Sequence, residues 1–420
     1  MLGGWVRAAA ASLATLVSNA GLDGMRLVLV SGVGRCGNGR TRLRVVSPFA
    51  DQSSSWGHHA TIGCVTGSET DLPPVVTAHT TQTERLRVHW LEAGPPQGVP
   101  VILVHGNLST SRFLEHVPGG APSRFRFVLP DMRGFGRTEP LPIDATRGLR
   151  DWSDDIHGLV TALDIDVPVH LLGWSTGGAA ISHYALEHGP VASLTYVDPV
   201  SPYGFGGVHR DGTLCFPDAA GSGAGLVNAE FIARLRAGDR GADSVFSPRN
   251  VMNNSYWAPS HREPPAREDL LIDEMLRTLV GDDGYPGDTT PSNNWPGAAP
   301  GTRGILNALS PKYCNWAGIV DLDPKPPILW THGAADVVVA DGSMWEAGTL
   351  GAAGHLPGWP GVDVFPPQPM VTQIRDVLGR YAAAGGSVRT EFFEGSGHGP
   401  MFDGTERWKA TFFGFLESVA

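Results

Sequence analysis

At 420 residues the chain is long enough for two domains, although a single α/β domain carrying insertions also reaches this size. Its formal charge of -11 argues against a nucleic-acid partner, which would need a basic face, and no apolar run is long enough for a membrane span. Apolar residues make up 41% and charged residues only 17%, while 55 glycines and 34 prolines imply many turns and long ordered loops.

Residues 1–72 lack periodicity and read as a leader outside the fold, disordered or wrongly assigned. The alternative is a secretory signal, with Ala8 to Val17 as its apolar run and Ser18-Asn19-Ala20 as a cleavage site. The first reading favours a cytoplasmic protein over a secreted one. Beyond Pro73-Pro74, strands alternate with helices. Thr83 to Ala93 alternates Leu86, Val88 and Trp90 as a strand that opens the sheet, and Val101 to Val104 is a buried strand running into His105-Gly106-Asn107. Phe125 to Leu129 leads into Asp131-Met-Arg133-Gly-Phe-Gly136, where Asp131 and Arg133 are expected to pair and fix their loop. Trp152, Ile156, Leu159, Val160 and Leu163 share a helical face, with Asp151 and Ser153 as cap candidates. The apolar run Val167 to Leu172 stops at Gly173-Trp174-Ser175-Thr176-Gly177, and a small-residue helix follows. Leu194 to Val197 then stops at Asp198.

This rhythm implies a mostly parallel sheet flanked by helices. It breaks over 201–324, where two helical patches near Ala229 to Leu235 and Glu268 to Leu279 lie among Gly, Pro, Asn and Trp. Plain connections are short, so this stretch reads as a lid inserted between a first core part, 73–200, and a second, 325–420. Trp257, Trp295 and Trp316 in it are candidates to line an apolar pocket, together with Tyr256 and several asparagines. Cys215 and Cys314, also there, read as buried free thiols, with a disulfide as the alternative. The sheet resumes at Pro327 to Trp330 and runs to Asp336, and a helix carries Ile374, Val377, Leu378 and Tyr381. A last strand, with Val388, Thr390 and Phe392 alternating, empties into His398, and a helix through Trp408 and Leu416 closes the chain.

Ser175, Asp336 and His398 thus stand at strand ends, which form one rim in a parallel sheet. A serine needs an imidazole to take its proton, and the imidazole needs a carboxylate to hold its tautomer. Asp198, at another strand end, is the main alternative acid, with Asp341 and Asp363 behind it. This chemistry requires neither cofactor nor metal.

Five pieces in this order, His105-Gly106-Asn107, Asp131-x-Arg133-Gly134-x-Gly136, Gly173-x-Ser175-x-Gly177, Gly333-x-x-Asp336 and Gly397-His398, resemble the α/β-hydrolase fold family over about residues 83–420. Within it they resemble the lid-bearing, epoxide-hydrolase-like branch. The resemblance implies that the backbone N–H groups of Asn107 and Thr176 form an oxyanion hole. It also marks a departure, because epoxide- and halide-processing relatives carry an aspartate where this chain has Ser175. What it implies is a serine hydrolase acting on a small-molecule carboxylic ester or lactone. The alternatives are amide or carbon-carbon bond hydrolysis, cofactor-free haloperoxidase-like activity, and a non-catalytic ligand-binding protein of the same fold.

Overall fold

A computed structural model describes residues 72–73 and 75–420, with the backbone of two short paired strands, Gly34–Arg35 and Thr41–Arg42. The expected leader falls almost wholly outside the described residues. Eight strands form the central sheet: β1 (Val76–Gln82), β2 (Arg87–Ala93), β3 (Val99–Val104), β4 (Phe125–Pro130), β5 (Val169–Trp174), β6 (Val191–Val197), β7 (Ile328–Gly333) and β8 (Val388–Phe393). Their order across the sheet is β8-β7-β6-β5-β3-β4-β2-β1. All neighbours from β4 to β8 run parallel, and β2 is antiparallel to both β1 and β4.

The central strands are apolar on both sides because both faces are covered. Every residue of β5 and β7 is buried. Register shows what covers each face. Tyr196 of β6 lies opposite Trp330 of β7, and its hydroxyl meets Ser182 of helix α2 (Thr176–Glu187) at 2.8 Å. The next residue along β7, Thr331, points to the other face. There it accepts a 3.1 Å hydrogen bond from Trp408 Nε1 of the closing helix, Thr405–Val419. Helix α1 (Arg150–Ala162) packs beside α2.

Two expectations need correction. The sheet opens at β1, not near Thr83; β1 is an edge strand whose sequence, Val-Thr-Ala-His-Thr-Thr-Gln, buries only its first residue and so carries no apolar rhythm. Neither Asp151 nor Ser153 caps α1, because the helix begins with Leu149 at its N-cap and holds both within its first turns. Asp151 instead binds Arg147 at 2.8 Å.

Between β6 and β7 the chain leaves the sheet for a long insertion. It holds α3 (Ala229–Ala237), α4 (Pro248–Ser255), α5 (Pro265–Met275) and a small hairpin pairing Thr289–Pro291 with Ala298–Pro300. Helix α4 follows from Ser247 capping the Asn250 N–H and from Pro248 in the first turn, where a missing N–H costs nothing. Cys215 and Cys314 are free thiols; Cys314 is buried as expected, whereas Cys215 is only partly so. No helix among the described residues is long and apolar enough to cross a membrane.

Candidate active site

Ser175 sits at the junction of β5 and α2 with φ 54° and ψ -116°, a conformation L-residues adopt only when the surroundings hold them there. Those surroundings are short backbone ties and missing side chains. The Ser175 N–H donates to Val197 O at 2.9 Å, and its carbonyl accepts from Gly178 at 3.0 Å and Val200 at 3.1 Å, locking the turn to the end of β6. A Cβ on Gly173 would strike the Gly177 backbone, and one on Gly177 would strike the Val104 carbonyl. The G-x-S-x-G pattern is thus a packing requirement of the turn. Ser175 is partly exposed while its neighbours are buried.

His398 reaches the same place from the loop after β8. Trp174 Nε1, one residue before the serine, donates to His398 O at 2.6 Å, and the two rings lie 5.9 Å apart. Its Nδ1 lies 2.8 Å from Asp336 Oδ2. An ionised carboxylate can only accept, so Nδ1 carries the hydrogen and Nε2 is left as the acceptor. The remaining Asp336 oxygen, Oδ1, accepts the Val338 and Val339 N–H groups at 2.7 and 3.1 Å. Burial would raise this carboxyl, but the neighbouring charge and hydrogen bond of His398, with His332, hold it below its ordinary value. The Asp336 turn is fastened to the His398 loop by Ala335 N–H to Ser396 O at 2.8 Å. Gly333 has no room for a side chain because the Gly397 carbonyl occupies that space.

The two residues expected as oxyanion donors follow β3 and open α2. Thr176 opens α2, and that helix has no side-chain cap. Asn107 follows β3, where a Cβ on Gly106 would come within 3.0 Å of Ser175 Cβ. Its side chain accepts the Leu108 N–H at 3.0 Å, and Leu108 itself adopts φ 51°. His105 braces this loop: Nδ1 donates to Gly106 O at 2.7 Å and Nε2 accepts Met132 N–H at 2.9 Å. Burial pushes its imidazole down to about 4, so it stays neutral.

The remaining candidates separate. Asp198 is buried beside the pair, its Oδ1 accepting Gly333 N–H at 2.8 Å. Asp341 binds Thr372, at 2.6 Å from its hydroxyl, away from His398. Asp131 and Arg133 do not pair: Asp131 holds His89 at 2.8 Å and the Ser111 hydroxyl at 2.6 Å, while Arg133 makes a two-pronged contact with Asp155. The cause is that Asp131 points under the loop and Arg133 toward α1.

Of the insertion tryptophans, Trp257 alone meets the site's loops: its backbone occupies the space a Gly397 side chain would need, and its ring packs on Phe402 at 5.8 Å. Trp316 stacks on Tyr196 at 5.3 Å and is fully buried, and Trp295 packs on Phe365 at 4.9 Å in a separate cluster. Neither ring is in contact with Ser175, Asp336 or His398 among the described residues. Tyr256 has a more specific role than the apolar lining expected of it. Its hydroxyl contacts Asn107 O at 3.0 Å and Leu108 O at 3.2 Å, and its ring packs edge-on against Trp174 at 5.4 Å.

A doubly covered, mostly parallel sheet with a serine on a strained strand-to-helix turn, and a bonded histidine-carboxylate pair on the loops after β7 and β8, defines a class of hydrolase-fold proteins. The profile of the alpha/beta hydrolase family matches residues 101–411, and the chain belongs to that family. It is similar to 2-hydroxy-6-oxo-6-phenylhexa-2,4-dienoate hydrolase of Burkholderia cepacia, 32% identical over 125 residues, which are 29% of this chain and 42% of that one. It is also similar to the cis-3-alkyl-4-alkyloxetan-2-one decarboxylase of Xanthomonas campestris, 30% identical over 129 residues, 28% of this chain and 43% of that one. In each case the matched segment spans less than half of the relative's length. Among solved structures, an esterase from Exiguobacterium antarcticum superposes with a TM-score of 0.51 at 16% identity, over 81% of this chain and 100% of that one. That likeness is one of fold.

Proposed function

We propose that this protein is a serine hydrolase that cleaves a carboxylic ester or lactone through an acyl-enzyme. Ser175 Oγ attacks the acyl carbon as its proton passes to His398 Nε2. Asp336 stabilises the imidazolium and keeps Nδ1 protonated throughout. The Asn107 and Thr176 amides receive the developing oxyanion, each such donor being worth about 3–4 kcal/mol in related chemistry. His398 then returns the proton to the leaving alkoxide, and water repeats the cycle on the acyl-enzyme.

The observation that carries this reading is the 2.8 Å bond from His398 Nδ1 to Asp336, at the turn that lifts Ser175 out of the sheet. The insertion between β6 and β7 supports a role as a cover for the acyl or alcohol group. A second reading, carbon-carbon bond hydrolysis, draws support from the Burkholderia relative and uses the same three residues.

The test is turnover of p-nitrophenyl esters, a lactone panel and a vinylogous 1,5-diketone, with covalent labelling by a fluorophosphonate. Ser175→Ala is expected to abolish labelling and lower kcat on the order of 10⁴-fold with unchanged melting. Residual activity above about a tenth of wild type would overturn the serine mechanism.

A further inference from the structure

Two strands deliver an aspartate to one buried spot. Asp198 follows β6 with φ 43°, and Asp336 follows β7. One oxygen from each, and a ring nitrogen of His398, lie within 4.8 Å of one another. Asp198 is 0% exposed; Oδ1 accepts the Gly333 N–H, but Oδ2 is buried with no N–H or hydroxyl offered to it. An ionised carboxylate would not be left so, since each buried unpaired charge costs several kcal/mol.

The groups that face Asp198 supply no compensating cation. His332 lies between the two acids, 3.6 Å from each, but its Nε2 hydrogen goes to Val339 O at 3.0 Å and its Nδ1 is therefore a lone pair. Burial holds that imidazole below its ordinary value, so it is neutral. Asp403, beyond His398, adds a further carboxylate, already committed to the Ala258 and Gly397 N–H groups at 2.8 Å each. His398 is the one group here that can become cationic during the reaction, and it is bonded to Asp336. Two acids this close and this dry cannot both ionise.

We propose that Asp198 holds a proton on Oδ2 at neutral pH and donates it to the Asp336 carboxylate, which makes Asp198 a positioning residue for the acid that orients His398. The inference rests on the serine-hydrolase reading for its catalytic consequence. Burial and the negative charge of Asp336 both raise the Asp198 carboxyl well above its ordinary value, while Asp336 is held low. The two acids thus share one negative charge. Asp336 receives hydrogen bonds from Val338, Val339, His398 and Asp198, and this leaves it no freedom to swing away from the imidazole.

The first measurement needs no substrate. The infrared difference spectrum of the full chain, wild type minus Asp198→Asn at pH 7, should contain a carboxylic-acid carbonyl band. Its absence overturns the proposal. The second is kinetic. Asp198→Asn keeps a donor and is expected to lower kcat about threefold, whereas Asp198→Ala, which has none, lowers it about 50-fold with KM within twofold. Equal kcat for the two variants would mean that Asp198 only fills space and would overturn the positioning role. A collapse of Asp198→Asn on the scale of Ser175→Ala would also overturn it, by making Asp198 the ionised acid. Should Asp198→Ala fail to fold, the infrared difference still decides. Failure of the hydrolase reading shows separately, as activity surviving in Ser175→Ala.

Discussion

The Tyr256 hydroxyl offers a direct way to probe how the insertion acts on the chemistry. Tyr256→Phe removes one oxygen from a buried site, leaves the ring against Trp174 and Phe113, and opens no cavity for a side chain to fall into. What it takes away is the donor to Asn107 O and Leu108 O. Losing a buried hydrogen bond and leaving its acceptor dry costs about 2 kcal/mol. For the roughly 350 described residues, an unfolding entropy of about 2.1 cal/mol/K per residue turns this into a fall in Tm of roughly 3 °C. The catalytic effect is larger than the stability effect. Asn107 supplies an expected oxyanion donor, Leu108 next to it is held at a positive φ, and a misplacement of about 1 Å can cost 10²-fold. A kcat about 10- to 50-fold lower with KM within twofold is expected, measured on a p-nitrophenyl ester beside a thermal melt. If kcat and Tm both stay at wild-type values, the hydroxyl does not hold the loop and the reasoning fails.

Other expectations can be checked alongside. Trp257→Ala should lower kcat about tenfold on acetate and on bulky aromatic esters alike, because its ring packs on Phe402, which in turn packs on Trp174 beside Ser175; a loss confined to bulky substrates would instead make it a pocket wall. Trp316→Phe should cost about 1–2 kcal/mol in urea unfolding while the ratio of kcat/KM between bulky and small esters is unchanged, since the ring is buried against Tyr196; a shifted ratio would restore it to the substrate side. Burial pushes the imidazoles of His105, His170 and His183 down to about 4. The unfolded chain protonates them near 6.5, so the stability they contribute is full above that pH and is lost as pH falls toward 4. The urea midpoint should therefore drop between pH 6.5 and 4.5 with net proton uptake on unfolding, and a flat midpoint would refute this.

Much of the site was legible because its constraints are local. The glycines at 173 and 177 encode the turn that strains Ser175, and apolar runs stopping at Ser175, Asp336 and His398 placed all three on one rim of the sheet. Less local facts were not. The seven residues of β1 carry no apolar alternation because an edge strand with one buried residue needs none. Asp131 and Arg133 are two residues apart, yet adjacent side chains on a loop diverge, and their partners, Ser111 and Asp155, are fixed only by tertiary packing. The ring partners of Trp295 and Trp316, Phe365 and Tyr196, are likewise fixed only by tertiary packing. The bond from Tyr256 to Asn107 spans 149 residues, and no spacing rule reaches that far.

One carboxylate oxygen, Asp403 Oδ2, receives both Ala258 N–H from the insertion and Gly397 N–H from the histidine loop. Both partners are main-chain groups, so the coupling does not depend on which side chain stands at position 258, with proline excepted because it lacks the hydrogen. A substitution at position 258 therefore leaves this donor in place, whereas the side chains of Tyr256 and Trp257 beside it pack on Trp174 and Phe402. Position 397 has no such latitude, since the Trp257 backbone fills the space beyond its Cα. Libraries aimed at new selectivity are best spread over the insertion's other side chains, with Tyr256, Trp257, Asp403 and Gly397 left fixed.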